Sequence, residues 1–166
     1  MPLWIDSLDF ARNAREVCGA VQIADLPRLQ DMLAVPDGEI NYVVRGSQDQ
    51  YGKPMLKVVL DGQCQLRCQR CLQGISYPVH LATRLLLVRA KELDEFSDDE
   101  NEIDSIPAEE HLNVLGMIEE ELLLSLPFAP MHPAGECQPA MAGYVAHEMV
   151  QAEKNPFAVL SELKRK

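Results

Sequence analysis

The sequence predicts an α+β domain in which a long helix packs across an antiparallel, curved and barrel-like β-sheet. Residues 39–91 alternate apolar with polar residues and are rich in valine and leucine, a pattern typical of half-buried strands. Residues 108–126 instead carry apolar residues at helical spacing. The 166 residues are enough for one core, and because only 5% are aromatic, that core should be mostly aliphatic.

Short N-terminal helices and one strand are predicted before the main part of the sheet. A partial apolar face over 5–14 indicates the first helix, and apolar alternation over 17–23 indicates a strand. Residues 26–33 predict the second helix, with Asp25 as its cap and Pro27 in its first turn. The strand over 17–23 is expected to join the main sheet.

The main part of the sheet is predicted to begin with an antiparallel hairpin. Its arms, residues 40–46 and 54–69, flank the turn SQDQYGK. Alternation in the second arm places Cys64 and Cys68 on the same half-buried side. Residues 76–90 alternate in the same way and predict a further strand beside the hairpin.

A dense run of acidic residues separates the sheet from the long helix. Residues 91–110 contain ten acidic side chains and a single basic one, Lys91, so they carry nearly all of the net charge of −11. We interpret 92–107 as an acidic loop with a short edge strand near its end. This loop is either a solvated segment or an anionic arm for a basic partner, and the residues leave both interpretations open.

The predicted domain spans residues 1–137 and closes with the long helix and a proline-rich loop. Pro107 and the acids that follow it suit the first turn of that helix, since acidic side chains favour a helix N-terminus. Residues 138–166 predict a flexible C-terminal tail that ends in a short helix. Phe157 and Leu160 of that helix are expected to contact a partner.

Two features predict a cytoplasmic protein with reduced thiols. The N-terminus lacks the basic start and apolar run of a signal peptide, and no window approaches the roughly 18 apolar residues of a membrane span. The five cysteines are an odd number, which fits free thiols better than a disulfide framework.

The stretch CQLRCQRC, residues 64–71, has the highest density of thiol side chains in the chain. It holds three of the five cysteines. Cys68 and Cys71 form a C-x-x-C, a spacing at which two thiolates can hold one zinc ion. A structural site needs two more ligands, and His132 and Cys137 lie together in the proline-rich loop. The four residues predict a Cys3His zinc site that fastens this loop to the end of the hairpin, with Cys64 as a spare ligand.

Two other interpretations of these cysteines stay open. They are also explained as inert buried thiols at a strand end, because free cysteine is among the most buried residue types. A redox dithiol is less well supported, since a reactive C-x-x-C usually begins a helix and this one follows a strand. No phosphate-binding loop or nucleophile elbow is present, so we predict no catalytic residues and no enzymatic activity.

Several motifs together resemble the bacterial YceD family, the large ribosomal RNA subunit accumulation proteins. They are, in chain order, CQRCL after the strands, the acidic loop, the stretch HLNVLGMIEEELLLSLPFAPMH followed by Cys137, and the ending NPFAVLSELKRK. The resemblance implies a non-enzymatic role in the synthesis, processing or stability of 23S rRNA during large ribosomal subunit biogenesis. Many relatives carry several cysteines after the long helix, and this chain has His132 where others have cysteine.

The implied partners are components of the pre-50S particle, either rRNA itself or a basic ribosomal protein or assembly factor. An rRNA contact would draw on scattered cations, which are Lys53, Lys57, Arg67, Arg70, Arg84 and Arg89. The absence of a long basic run favours the protein partner, held by the acidic segment. The alternative function is a zinc-stabilised acidic adaptor that binds a basic protein and is unrelated to ribosomes.

Overall fold

A computed structural model describes residues 3–89, 91 and 103–137 of the chain. Most of the predicted acidic loop 92–107 lies outside these residues. The predicted tail 138–166, with its terminal helix and the contact residues Phe157 and Leu160, lies outside them as well.

The described residues form eight strands, two α-helices and two short 3-10 helices. In chain order they are β1 (Trp4–Ile5), α1 (Ser7–Arg12), β2 (Glu16–Gln22), the 3-10 helices Ile23–Asp25 and Pro27–Met32, β3 (Leu33–Val35), β4 (Glu39–Gln48), β5 (Pro54–Arg67), β6 (Gly74–Val88), β7 (Asp104–Pro107), β8 (Leu112–Asn113) and α2 (Val114–Ser125). This confirms the α+β class, with a sheet that dominates few and short helices.

The main sheet is open, so the predicted barrel-like closure is wrong. Its strand order is β2-β4-β5-β6-β7, and β3 pairs with the far end of β5. All of these pairs are antiparallel except β6 with β7, which is parallel. Because β7 extends the sheet outward beyond β6 and does not return to β2, the two edges stay apart. The strands β1 and β8 form a separate two-stranded sheet.

The predicted hairpin and its neighbouring strand are confirmed. Strands β4 and β5 pair from Gln48 with Pro54 down to Ile40 with Gly62, and β5 continues against β6 as far as Arg67. Alternate residues of β5 point into the core, among them Leu56, Val58, Leu60, Cys64 and Leu66. The same alternation continues into Cys68, which is fully buried just beyond the strand.

The predicted helix 108–126 is shorter and begins later than its pattern indicates. Pro107 ends β7, where it pairs with Val88, and β8 pairs with β1. The residues before Val114 are therefore involved in strand pairing. The backbone N–H of Val114 itself donates to the carbonyl of Leu3 at 2.9 Å. These tertiary bonds override the favourable helix-start residues of 107–110, because helix propensity is a weak preference beside tertiary pairing.

The second N-terminal helix is also different from the prediction over 26–33. Two 3-10 helices replace it, Leu26 precedes the longer one, and Asp25 does not cap it. Leu26 and Leu29 are nonetheless buried in the core, as the helical pattern required. The backbone N–H of Arg28 donates to Glu119 Oε1 of α2 at 2.6 Å, which ties this segment to the helix.

The core lies on one face of the sheet and is mainly aliphatic, as predicted. Both α-helices and the 3-10 helices contribute to it. Its largest fully buried side chains are Ile23, Leu26, Leu29, Ile40, Leu56, Leu60, Leu66, Leu85, Ile118 and Leu122. No helix among the residues that the structure describes is long and apolar enough to cross a membrane.

Helix α1 approaches β4 so closely at Gly46 that only glycine fits there. A Cβ atom at this position would lie 2.7 Å from the Cα of Ala11 and closer still to the carbonyl oxygen of Phe10. The backbone N–H of Gly46 also donates to the carbonyl of Arg15 at 2.8 Å. Neither backbone neighbour can move without shifting α1 away from the sheet.

We predict that Gly46→Ala lowers the free energy of unfolding by about 1–3 kcal/mol or more, because overpacking against backbone forces α1 outward. Urea denaturation measures this change. Gly74→Ala is the matched control, since its nearest neighbour would be Ala34 Cβ at 3.4 Å. Equal effects of the two substitutions would contradict the close packing of α1 on β4.

Glu121 of α2 is a buried acid on the core side of the sheet. Burial raises its pKa above the ordinary 4.5, the carboxylates of Asp104 and Glu120 raise it further, and a hydrogen bond from Thr83 opposes them. A carboxyl group whose pKa is raised by folding destabilises the folded state at pH values above its pKa in the folded protein. At pH values below its pKa in the unfolded chain, it has no such effect.

Glu121→Gln is therefore expected to raise the free energy of unfolding at neutral pH and to change it little near pH 4. Urea denaturation at the two pH values gives the comparison. Glu110→Gln serves as the control because Glu110 is exposed and is not among the groups that shift the pKa of Glu121. If Glu121→Gln raises the free energy of unfolding at low pH, or lowers it at neutral pH, the result is inconsistent with the raised pKa of Glu121.

Candidate metal centre

The turn between β5 and β6 positions the two cysteines of the C-x-x-C. Arg67 and Gly74 are the last paired residues of the two strands. Inside the turn the backbone N–H of Cys68 donates to the carbonyl of Gln73, and that of Leu72 donates to the carbonyl of Cys68, each at 2.9 Å. Leu72 adopts a left-handed φ of 63°, which costs a non-glycine residue roughly 1–2 kcal/mol. This tight turn places both thiols on its inner side, where they are buried.

The segment after α2 brings His132 and Cys137 to the same turn. It has no helix or strand over 127–137, but the backbone N–H of Gln69 donates to the carbonyl of Pro130 at 2.9 Å. A second turn follows, in which Gly135 has a φ of 89° and Glu136 N–H donates to the carbonyl of Pro133 at 3.1 Å. The chain thus reverses between His132 and Cys137, so both side chains face the C-x-x-C.

The four ligand atoms of Cys68, Cys71, His132 and Cys137 all lie within 4.8 Å of one another. The two sulfurs of Cys68 and Cys137 are 3.7 Å apart. The Nδ1 atom of His132 lies 3.3 Å from Cys71 Sγ and 3.8 Å from Cys137 Sγ. Zinc–sulfur bonds of about 2.3 Å and zinc–nitrogen bonds of about 2.0 Å put tetrahedral ligand atoms roughly 3.5–3.8 Å apart. The donor set therefore fits one tetrahedral zinc ion.

The other ring nitrogen of His132 supports the same arrangement. Its Nε2 atom lies 3.2 Å from the carbonyl oxygen of Gly74, which can only accept a hydrogen bond. The ring proton is therefore assigned to Nε2, and Nδ1 presents its lone pair to the sulfurs. Metal-binding histidines are commonly oriented in this way by a backbone carbonyl.

Hydrogen bonds to the sulfur of Cys68 favour its thiolate form, which is the form that binds metal. Burial acts to raise its pKa, but the backbone N–H groups of Cys71, His132 and Arg70 outweigh it and lower the pKa of Cys68 to about 5. For Cys71 the N–H of Gln73 acts to lower the pKa, whereas burial and the neighbouring thiols leave it raised. At neutral pH the cluster therefore holds a thiolate at Cys68, the form that binds metal.

Arg70, between the two cysteines, has a role that the sequence did not reveal. Its Nε donates to Cys137 Sγ at 2.9 Å, and its Nη2 donates to the carbonyls of His132 and Pro133 at 3.0 and 3.2 Å. The hydrogen bond to Cys137 and the charges of Cys137, Cys68 and Cys71 raise the pKa of Arg70, while burial opposes them. Three thiolates and one Zn²⁺ would carry a net charge of −1, which the guanidinium would balance. Arg70 is thus part of the centre and not a free phosphate contact, contrary to its predicted use.

The remaining thiols are separate from the cluster. Cys64 lies in the hydrophobic core, where burial raises its pKa, so its predicted use as a spare ligand has no support in the geometry. Cys18 on β2 is exposed. A redox dithiol needs access to its substrate, yet Cys68 is 0% exposed and Cys71 is 7% exposed. The geometry therefore favours zinc over a redox dithiol, and metal binding by the four residues stays a prediction.

The chain is similar to one known family of proteins. The model of a family described as large ribosomal RNA subunit accumulation protein YceD matches residues 56–164. A relative with the same description, from Haemophilus influenzae, is 28% identical over 178 aligned positions, which cover all of this chain and 97% of the relative. No solved structure matches the chain. The family match includes all four predicted ligands and the whole of α2.

We predict that the purified protein contains about one equivalent of zinc and that Cys71→Ser removes most of it, because a structural site needs all four ligands. The melting temperature should fall by at least ~5 °C, since bound metal stabilises only the folded state. Elemental analysis and thermal denaturation measure the two effects.

Cys18→Ser is the matched control, because it removes an exposed thiol outside the cluster. It should keep the metal and the melting temperature of the original protein. Equal metal content in the two variants, or no metal in the original protein, would contradict a zinc site at these residues.

Proposed function

The chain belongs to the YceD family of large ribosomal RNA subunit accumulation proteins, and from this premise we propose that it promotes the accumulation of 23S rRNA during large ribosomal subunit biogenesis. The observation that carries the proposal is the family match over 56–164, which includes β5 from its third residue, β6, α2 and the candidate metal centre. The synthesis, processing or stability of the rRNA is the step in which the protein acts.

The proposed role is non-enzymatic, and the metal centre supports this. A catalytic zinc site keeps one coordination position for water or substrate, whereas three thiolates and one imidazole fill a tetrahedral site. Cys68 and Cys71 are buried and cannot reach a large substrate. Zinc would therefore act as a structural ion that adds to the free energy of folding.

The structural task of the centre is to fasten the chain after α2 to the β5–β6 turn. Between α2 and Cys137 the backbone bonds to that turn include the one from Gln69 to Pro130. Without metal, three thiols and an imidazole would face each other at short distances, two of the thiols buried and the other two groups half-buried. With metal, the same groups hold the C-terminal end of α2 against the sheet.

The proposed partners are components of the pre-50S particle, either rRNA or a basic ribosomal protein or assembly factor. Acidic residues 92–102 contain no basic side chain and suit a basic protein partner. The family membership does not support the alternative of a zinc-stabilised adaptor unrelated to ribosomes. A cytoplasmic location is part of the proposal, because large-subunit biogenesis in bacteria takes place there.

Deletion of the gene for this protein is expected to lower the ratio of 23S to 16S rRNA and the yield of 50S subunits. Gel analysis of total rRNA and sucrose gradients measure both quantities. Expression of the original protein should restore them, and Cys18→Ser should do so equally well.

Cys71→Ser should restore these quantities only in part, because the segment after α2 loses its attachment. An unchanged 23S to 16S ratio in the deletion strain would rule out the proposed function.

A further inference from the structure

The main sheet has an outer face that no other described element covers. Alternation in β4, β5 and β6 sends one set of residues into the core and the other set outward. Val59, in the middle strand of the sheet, is 45% exposed. Both α-helices pack on the core side, and Glu121 of α2 contacts Thr83 there. Among the described residues, therefore, none covers the outer face of the sheet.

The strand register arranges the outward residues of β4, β5 and β6 in rows. Arg45 pairs with Lys57, and Lys57 pairs with Arg84, so three cations stand side by side across three strands. We call these three residues the basic row. Neighbouring strands lie about 4.8 Å apart, so the basic row spans roughly 10 Å.

Two further rows follow beside the basic row. The first is apolar and consists of Val43, Val59 and Ala82, and the second is polar and consists of Asn41, Asp61 and His80. In the polar row Asp61 Oδ2 lies 2.5 Å from His80 Nδ1. Asp61, the acid of β5 nearest to the basic row, is therefore already paired with His80. The surface is therefore graded from cationic through apolar to polar.

The basic row costs free energy in the isolated protein. Like charges directly opposite each other on neighbouring strands are destabilising. Glu16 of β2 forms a salt bridge with Arg45 at one end of the row. Among the residues that the structure describes, Lys57 and Arg84 have no acidic partner. Such an arrangement in a chain of net charge −11 indicates an anionic ligand on this face.

We propose that the outer face, through Lys57 and Arg84, binds the phosphate backbone of structured RNA, an inference that rests on the proposed function in rRNA accumulation. Phosphate contacts by lysine and arginine supply most of the affinity for nucleic acid and do not depend on sequence. The long-range repulsion from acids elsewhere is screened beyond about 8 Å at physiological salt. A local basic row can therefore bind RNA on a protein that is acidic overall.

The composition of the outer face favours helical RNA over single strands. Proteins that bind single strands stack the bases on aromatic side chains. The outward residues of β4, β5 and β6 include no Phe, Tyr or Trp, since Tyr42 and Tyr77 pack toward the core. The apolar row instead places Val43, Val59 and Ala82 beside the cations. RNA helices are recognised through their shape, their phosphates and their 2′-hydroxyl groups.

Binding of the full-length protein to a labelled RNA duplex of about 16 base pairs tests the proposal. Fluorescence anisotropy between about 50 and 200 mM salt gives the affinity and its salt dependence. The variant Lys57→Gln/Arg84→Gln should bind at least ~10-fold more weakly at low salt. The slope of log affinity against log salt should also become shallower by about 2, since two phosphate contacts are lost.

A matched control removes the same charge from the other side of the sheet. Arg12 lies on α1, and Arg28 lies in the second 3-10 helix, where it makes only a long salt bridge of 3.9 Å to Glu120. Arg12→Gln/Arg28→Gln should bind the duplex as the original protein does. Lys57→Arg should also keep the affinity, which separates a lost charge from a disturbed strand.

Three results of the binding experiments would overturn the proposal. They are no duplex binding by the original protein, equal losses in the two double variants, and displacement of the RNA by polyglutamate at equal charge, which would assign the basic row to an acidic protein. In cells, full rescue of the deletion strain by Lys57→Gln/Arg84→Gln would reject this inference and leave the proposed function intact. A normal rRNA ratio in the deletion strain would reject the proposed function instead.

Discussion

The alternation of β5 is the constraint on which the rest of the structure depends. This strand pairs with β4 and β3 on one side and with β6 on the other. Its inward residues supply the centre of the hydrophobic core, and the same side continues into Cys68 at the strand end. Its outward residues supply Lys57 and Val59 to the exposed face. A register slip of one residue would move Cys68 out of the metal centre and Lys57 into the core.

The candidate metal centre brings together parts of the chain that are far apart in the sequence. Cys68 and Cys71 lie in the turn after β5, and His132 and Cys137 lie beyond α2. Closing such a long loop costs chain entropy, and a metal bond offsets that cost better than a few hydrogen bonds can. Arg70 then balances the charge of the thiolates from within the same turn. A metal ion bound here would thus have a structural role that needs no chemistry at the ion.

Much of this fold could be predicted from the sequence, because the signals are local. The alternation of apolar and polar residues predicted β4, β5 and β6. The C-x-x-C spacing pointed to Cys68 and Cys71, and the need for two more metal ligands pointed to His132 and Cys137. The misplaced features depend on contacts between distant residues. The start of α2 was missed because β1 pairs with β8, and closure of the sheet was wrong because β7 adds to β6 in parallel.

The basic row could not be predicted for the same reason. Arg45, Lys57 and Arg84 are separated by 11 and 26 other residues, so no basic run appears in the sequence. That absence favoured a protein partner over RNA. Only the register of three strands brings the cations together, and register depends on the turns and on the burial of one face.

X-ray absorption at the zinc edge of the purified protein tests the central claim most directly, because it reports the ligands of the metal. The account predicts three sulfur ligands at about 2.3 Å and one nitrogen at about 2.0 Å, with no water in the first shell. His132→Cys, which keeps four ligands, should exchange the nitrogen component for a fourth sulfur. A protein without zinc, or zinc bound mainly by oxygen, would contradict the claim that β5 ends in a Cys3His metal centre.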